Sequence, residues 1–491
     1  MLWIRSRQRW LKRQKRNKTG VPVLVRWKDN REEYMSIEQN KDSMHIDRKE
    51  QGFGLLFLLL FLIAAVRLAW MQPIESVTPY FAGPPDELSR YMIPQYIYQH
   101  GTLPTGFEPE VQIGGYGGSY AFMPGLPYIF MALFMKVGSL FSTDPHVLLF
   151  SARCFNVLMG LLMSIYVMTI GRMLFKKPEH YLLFSAMVIF LPEMLFVHTY
   201  VNTDSMAMLG ITLMVYALLA MYQEQVRMKW IWYFSIGAIL CTLSYYNSYG
   251  MLLVSIPIFI GAFYKDKLDT RNMFKYGFII LGIWAAGSLW WYIRNGIILD
   301  GDLFGMATMS RVQAETGLGA RWSYYQDGKS IIDMFRENQL VRGMFISYIA
   351  AYGGRSIFAP IWYYGLYALI FGVGILSALV YCIRHYREFD GKVKLFTWMM
   401  MLEGFITVGL WLYYCYVLDL QPQGRYLLPA TLPLMFVLGK GYEALSEWMN
   451  TKFIKSERAM LGLLYMFTFG ILFLCVYYVL KIVLPVYRFV A

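Results

Sequence analysis

The sequence predicts an all-α membrane protein: a polytopic chain of about eleven transmembrane helices, with further juxtamembrane helices at the outer surface. Composition, the spacing of apolar runs, and the side on which lysine and arginine fall all point to it. Of 491 residues, 57% are hydrophobic, 18% aromatic and only 16% charged. A soluble domain carries about 45–50% apolar and about 25% charged residues. A chain of this length would make about three soluble domains, and there is too little polar surface here to cover them. The same composition excludes disordered, collagen-like and disulfide-scaffold classes.

About 20 apolar residues cross a bilayer as a helix. Runs of that kind lie near 53–71, 147–171, 180–198, 205–222, 230–246, 249–264, 275–295, 361–383, 395–417, 426–444 and 459–483. One further run, 124–141, starts with Pro124-Gly125 and Pro127 and carries Lys136 and Gly138. Lysine and arginine concentrate in cytoplasmic connections. If 124–141 does not cross, Arg172, Lys176 and Lys177 fall on the same side as Arg227, Lys229, Lys265, Lys267, Arg271 and Lys275. The basic residues at 384–394 and 452–458 join them, and the opposite turns near 199–204 and 246–248 carry no Lys or Arg. If it does cross, every later connection swaps sides and the bias reverses. The expectation is therefore an amphipathic helix on the outer surface at 124–141, a cytoplasmic N-terminus, and long outer loops near 72–146 and 297–360.

The chain divides into a basic cytoplasmic leader, 1–51, and a membrane domain, 52–491. Residues 1–18 hold eight basic residues (Arg5, Arg7, Arg9, Lys12, Arg13, Lys15, Arg16 and Lys18) and no acid, within a net charge of +13. Beside a membrane span, such a run fits anionic lipid headgroups rather than nucleic acid. It is too long for an ordinary signal peptide. The five cysteines, Cys154, Cys241, Cys382, Cys415 and Cys475, fall in or at the ends of apolar segments with no metal spacing. They read as small core residues. No repeat of fixed period is present.

Polar residues are costly in such a chain, and they gather on the outer side. The first loop reads Pro84-Pro85-Asp86-Glu87, then Arg90-Tyr91. Proline suits the approach to a helix and carboxylates suit its first turn, so this pair can simply start a helix. Adjacent helical residues diverge by about 100° and cannot flank one bond as a glycosidase pair must, but one of them can act as a single general base. Asn202-Thr203-Asp204 can cap a helix, and Asn247 with Gly250 can form a turn. Arg342 and Arg355 lie in the second loop. Arg425, in Gln421-Pro422-Gln423-Gly424-Arg425-Tyr426, can snorkel to headgroups. What these residues share is one compartment, which is nearly free of lysine.

At these residues the chain resembles the GT-C superfamily of membrane glycosyltransferases, which use polyprenyl-phosphate-linked sugars. Pro85-Asp86-Glu87 matches the acidic motif of their first outer loop, and Met123-Pro124-Gly125-Leu126-Pro127-Tyr128 the start of their juxtamembrane helix. Ser151-Ala152-Arg153 matches the opening of their second span. Gly424-Arg425-Tyr426, Asn202-Thr203-Asp204 and Asn247-Ser248-Tyr249-Gly250 resemble a poorly characterised bacterial branch. Arg90 stands where protein O-mannosyltransferases carry histidine, as in aminoarabinose transferases, which leaves the acceptor open.

The resemblance implies sugar transfer from a polyprenyl-phosphate donor to a cell-envelope glycan, teichoic acid or glycolipid on the outer face of a bacterial plasma membrane. It implies Asp86 as catalytic base with Glu87 as its orienter or substitute, and Arg425 with Arg342 or Arg355 as the phosphate clamp. Arg90, Tyr91, Asn202, Asp204 and Asn247 would line the substrate site. Direct in-line attack inverts the anomeric carbon. No cofactor or metal is expected, although Asp86, Glu87 and Asp204 are able to bind a divalent cation. The main rival is a polyprenyl-linked sugar or glycan flippase, disfavoured because its charges would lie at the membrane midplane within repeated halves. A scaffold recruiting partners through the basic leader is the third reading.

Overall fold

The computed structural model describes residues 48–74, 83–114, 117–264, 267–316 and 323–490. Residues 1–47 of the basic leader lie outside them, and the expected boundary at 51/52 falls inside the first helix.

The described chain is almost entirely helical. Helix α1 (Arg48–Met71) is followed by α2 (Glu87–His100), α3 (Leu126–Gly138) and α4 (Pro145–Leu174). Helix α4 starts where the sequence dictates. Asp144 accepts bonds from the backbone N–H of His146 (2.9 Å) and Val147, and Pro145 fills the first position, where no donor is needed. There follow α5 (Pro178–Ile189), α6 (Pro192–Val197), α7 (Asp204–Gln223), α8 (Met228–Thr242), α9 (Tyr249–Ala262) and α10 (Thr270–Ile298). The second long loop holds α11 (Met306–Thr316), α12 (Ile331–Glu337), α13 (Leu340–Ala350) and a two-residue antiparallel ladder. Its strands are β1 (Ala351–Tyr352) and β2 (Ile357–Phe358), paired as Ala351 with Phe358 and Tyr352 with Ile357. The chain closes with α14 (Ile361–His385), α15 (Gly391–Tyr413), α16 (Thr431–Met449), α17 (Glu457–Tyr477) and α18 (Leu484–Val490).

Seven helical segments are long and apolar enough to cross a membrane: 50–71, 145–174, 204–223, 270–298, 361–388, 391–418 and 457–489. The sequence suggested eleven runs, and the other four differ for identifiable reasons. The run 180–198 is split into α5 and α6 at Pro192, which has no N–H to continue the ladder. Helices α8 and α9, with 15 and 14 residues, are each only about 21–23 Å long against a hydrocarbon core of about 30 Å. Helix α16 has 19 residues but carries Lys440, Glu443 and Glu447. The run 124–141 forms a 13-residue helix, α3, about 20 Å long and so too short to cross by itself.

Successive helices run back and forth, and their connections collect at two ends. At one end Gln223 Nε2 bonds the Met173 carbonyl, and Lys440 Nζ the Leu174 carbonyl, both at 2.7 Å. At the other, Tyr352 Oη reaches the Pro192 carbonyl at 2.6 Å, and Tyr246 Oη the Phe304 carbonyl. All candidate site residues fall at this second end.

Burial explains how the bundle is layered. Helix α7 is the axis: nearly every residue from Asp204 to Tyr222 is buried. A helix apolar on all sides belongs either in a core or against lipid. Helices α10 and α14 take the second option and expose most of their apolar side chains along the wall. Helix α7 meets α8 at Gly210 and Gly237, where a Cβ on either residue would come within 2.7–2.8 Å of the other's carbonyl oxygen. Small residues of this kind let two helix backbones approach closely.

Candidate active site

Helix α2 has two working faces because residues four apart overlie one another. Asp86, its N-cap, and Arg90 lie on one face, while Glu87 and Tyr91 lie on the other. Asp86 sits in the left-handed region at φ 62°, which turns the chain sharply after Pro84-Pro85 and aims adjacent carboxylates apart.

On the open face, Arg425 Nη2 donates to Asp86 Oδ2 at 2.5 Å, and Nη1 to the Pro85 carbonyl at 3.4 Å. The arginine side chain is only 4% exposed and the aspartate 37%. Arg425 is held by a tight turn, Gly424–Ala430. Glycine is required at 424, since a Cβ there would fall 2.1 Å from the backbone nitrogen of Tyr348. Arg425 also lies beside the Tyr426 ring, at 5.3 Å. Burial drives the Asp86 carboxyl upward, but Arg425 and then Arg90 outweigh it and hold it below its ordinary 3.8. The same carboxylate contributes to holding the Arg425 guanidinium well above its usual range against the cost of burial.

Arg90 extends this face. Its Nη1 donates to Thr203 Oγ1 at 3.2 Å and to Tyr128 Oη at 3.4 Å, and its guanidinium lies 4.5 Å from the centre of the Tyr120 ring. Asp204 is 1% exposed and within electrostatic reach of Arg90, Arg425 and Asp86. Glu193, on α6, is likewise buried and faces Arg425, Asp204 and Arg355. Arg355 occupies a left-handed turn at φ 63° between β1 and β2. Burial lowers its affinity for the proton and Glu193 opposes that. Among the described residues, buried Asp204 Oδ2, Glu193 Oε2 and the Nε atoms of Arg90, Arg355 and Arg425 have no hydrogen-bond partner. Three arginines and three carboxylates thus meet where α2, α6, α7, the β-turn and the 424–430 turn converge.

Glu87 is elsewhere. It is fully buried in a two-point ion pair with Arg153, Nε to Oε1 at 2.8 Å and Nη2 to Oε2 at 2.6 Å. Its Oε1 also accepts from the Val201 N–H at 2.7 Å, while Arg153 Nη1 bonds the carbonyls of Ala69 and Gln72. This corrects the expectation that Glu87 orients or replaces Asp86: both its oxygens are fixed in a sealed junction. Tyr91 packs in the same core, its hydroxyl pushed up to about 12 by burial, so it does not line the open face.

Asn202 is also corrected. Its Nδ2 bonds the carbonyls of Val197 and Tyr200, and its Oδ1 takes the Ser205 N–H at 3.0 Å, so it shapes the turn before α7. Arg342 is exposed and bonded to Gln339 at 2.9 Å rather than joined to Asp86. Asn247 donates to Tyr245 Oη at 3.2 Å, and Tyr245 in turn lies within electrostatic reach of Asp204, Tyr426 and Arg425. Among the described residues no group of three or more His, Cys, Asp or Glu is placed to hold a metal ion. Sequence reasoning missed Glu193, and it named Arg153 only within a motif, without its role as the partner of Glu87. The signal for Glu193 was present, as the one carboxylate in the run 180–198, directly after the proline that breaks it.

The family described as "Predicted membrane protein (DUF2142)" matches residues 98–434, more than half of the chain. The chain belongs to that family. The matched region includes Asp204, Arg355 and Arg425 and begins just beyond Asp86. Among solved structures, the chain is similar to the Archaeoglobus fulgidus oligosaccharyltransferase tethered with an acceptor peptide containing the NVT sequon. The TM-score is 0.50 at 12% identity, covering 87% of this chain and 54% of that one. It is similar also to the archaeal oligosaccharyltransferase AglB from the same organism, in complex with an inhibitory peptide and a dolichol-phosphate. There the TM-score is 0.50 at 12% identity, covering 88% and 55%. The DUF2142 chain therefore spans about half the length of these proteins, and what it shares with them is the GT-C-like membrane fold. No curated protein matches the chain.

Proposed function

We propose that the protein is an inverting membrane glycosyltransferase that moves a sugar from a polyprenyl-phosphate donor to a cell-envelope acceptor. The observation that carries this reading is the Asp86–Arg425 pair: a half-open carboxylate held by a buried guanidinium, with Arg90 alongside. The fold shared with a dolichol-phosphate-bound oligosaccharyltransferase supports a lipid-phosphate donor.

In this reading the donor phosphate binds Arg425 and Arg90 and competes with Asp86 for the guanidinium. Asp86, relieved of its partner, accepts the proton of the acceptor hydroxyl. The acceptor oxygen bonds to the anomeric carbon from the face opposite the phosphate. The carbon–oxygen bond to phosphate breaks, and its electron pair leaves on a phosphate oxygen already paired with arginine. A phosphate leaving group is stable as an anion, so no strong general acid is needed. Tyr120 and Tyr426 supply ring faces for the sugar. The step as drawn needs neither a cofactor nor a metal ion, and the site is read as facing the outer side of a bacterial plasma membrane.

The test uses the full chain in lipid nanodiscs and vesicles with a polyprenyl-phosphate donor labelled in its sugar, plus cell-envelope acceptor fractions. Label passing to the acceptor is the expected result. Label that crosses the bilayer still attached to its lipid would favour the flippase reading instead. Orientation is tested separately: a reporter fused after residue 142 reports outside, and one fused after residue 175 inside.

A further inference from the structure

Among the described residues, helix α12 has an apolar face left largely uncovered. At about 100° per residue, Ile331, Phe335 and Ile332 fall within one arc of about 100°, and Met334 lies beside that arc. Arg336, Asp333 and Glu337 occupy the remaining side. Met334 is fully buried, whereas Ile331, Phe335 and Ile332 are exposed, the last at 57%. Val341, at the start of α13, is 66% exposed. The helix is built to persist in this form: Ser330 and Asp333 cap it reciprocally, each side chain bonding the other's backbone N–H.

Its position indicates what covers that face. Met334 and Leu340 pack with Tyr324 and Met344 against Trp411 and Cys415 at the end of the 391–418 membrane segment. Tyr416 Oη bonds the Lys329 carbonyl at 3.0 Å, and the Tyr325 N–H bonds the Tyr416 carbonyl at 3.1 Å. Tyr325 and Tyr413 are exposed around this junction. Tyrosine and tryptophan favour the level where a span leaves the hydrocarbon. The open face of α12 therefore lies beside the end of the apolar 391–418 segment, a segment that itself exposes Phe405.

We propose that α12 is a membrane-seated helix whose occupant is the lipid of the adjoining leaflet, with Ile331, Ile332, Phe335 and Val341 inserted beneath the headgroups. A short amphipathic helix of this kind binds weakly alone, but here it is already fixed to a span. Seating it anchors the start of α13. That helix carries Ser347, whose Oγ accepts the Gly424 N–H at 2.5 Å next to Arg425. The inference does not depend on sugar transfer.

The experiment places a photoactivatable diazirine residue singly at 332 and at 335 in the full chain, in phosphatidylethanolamine–phosphatidylglycerol nanodiscs. Position 405 serves as the lipid-facing control and the exposed Gln326 as the solvent-side control. Mass spectrometry after illumination should find lipid adducts at 332 and 335 near the yield at 405 and well above that at 326. Yields at 332 and 335 no higher than at 326, or adducts to a protein partner there, would overturn the proposal. Position 331 on the same arc replaces any variant that fails to fold.

Discussion

Two arginine–carboxylate pairs stand back to back at the head of α2. Glu87 and Arg153 are both fully buried, share two contacts, and have their remaining atoms tied to the backbone at Ala69, Gln72 and Val201. Asp86 and Arg425 share one contact, leave the carboxylate 37% open, and leave Arg425 Nε without a partner among the described residues. A sealed pair with every group satisfied is a joint. Breaking it strands a charge in a low-dielectric interior. A half-open pair with spare hydrogen-bonding capacity is exchangeable, because an incoming anion can replace one partner.

The largest expected effect breaks the sealed side. Arg153→Ala leaves Glu87 charged and buried and frees two carbonyls, so it should cost about 3–5 kcal/mol of stability. Denaturation of the purified protein in a membrane mimic measures this. A cost below about 1 kcal/mol would mean that the joint is not structural. The open side should behave in the opposite way. Asp86→Asn should lower sugar transfer by about 10²-fold or more, while changing stability by less than about 1 kcal/mol, because its carboxylate is more than a third exposed. Near-normal turnover would move the base to Asp204 or Glu193.

Arg425→Lys sharpens the same contrast. Arginine snorkelling to headgroups would be replaced silently by lysine, but a side chain 4% exposed and aimed at Asp86 is not snorkelling. Loss of the planar, paired donor should cost about 1.5–3 kcal/mol, or about 10- to 150-fold in transfer efficiency. Efficiency within about twofold of the parent would leave Arg90 and Arg355 as the phosphate ligands.

The smallest effect is the pH dependence. Asp86 titrates below its ordinary 3.8 in the folded chain. Its ion pair therefore contributes stability above that value, and the contribution disappears as pH falls through the lowered folded value. Solvent screening keeps it small. Asp86→Asn should lower the neutral plateau of an unfolding-versus-pH series by that small amount and flatten its acid limb, leaving variant and parent alike at the acid end. An acid limb identical in the variant would show that the pair contributes nothing.

The motif at 84–87 was legible as the start of a helix, but not which carboxylate would be free. Both Asp86 and Glu87 suit a first turn. The choice is made by a left-handed φ at Asp86 and by arginines 66 and 339 positions away. Asn202 looked equally chemical and proved to be a turn-former, as its residue type permits. Glu193 was hidden because an apolar run of bilayer length reads as one span until its proline is taken seriously.

By itself, then, the sequence determined the all-helical membrane class, the outer position of the short helix near 124–141 as an expectation from charge bias, and the end of the bundle where polar residues gather. These follow from local and additive physics: apolar length, proline placement, and charge summed over connections. Only the tertiary structure decided that Glu87 is sealed by Arg153, that Arg425 meets Asp86, and that Arg90, Asp204, Glu193 and Arg355 join them. Pairing of buried charges depends on which helices pack together, and an arginine's partner across hundreds of residues leaves no mark on the sequence around it.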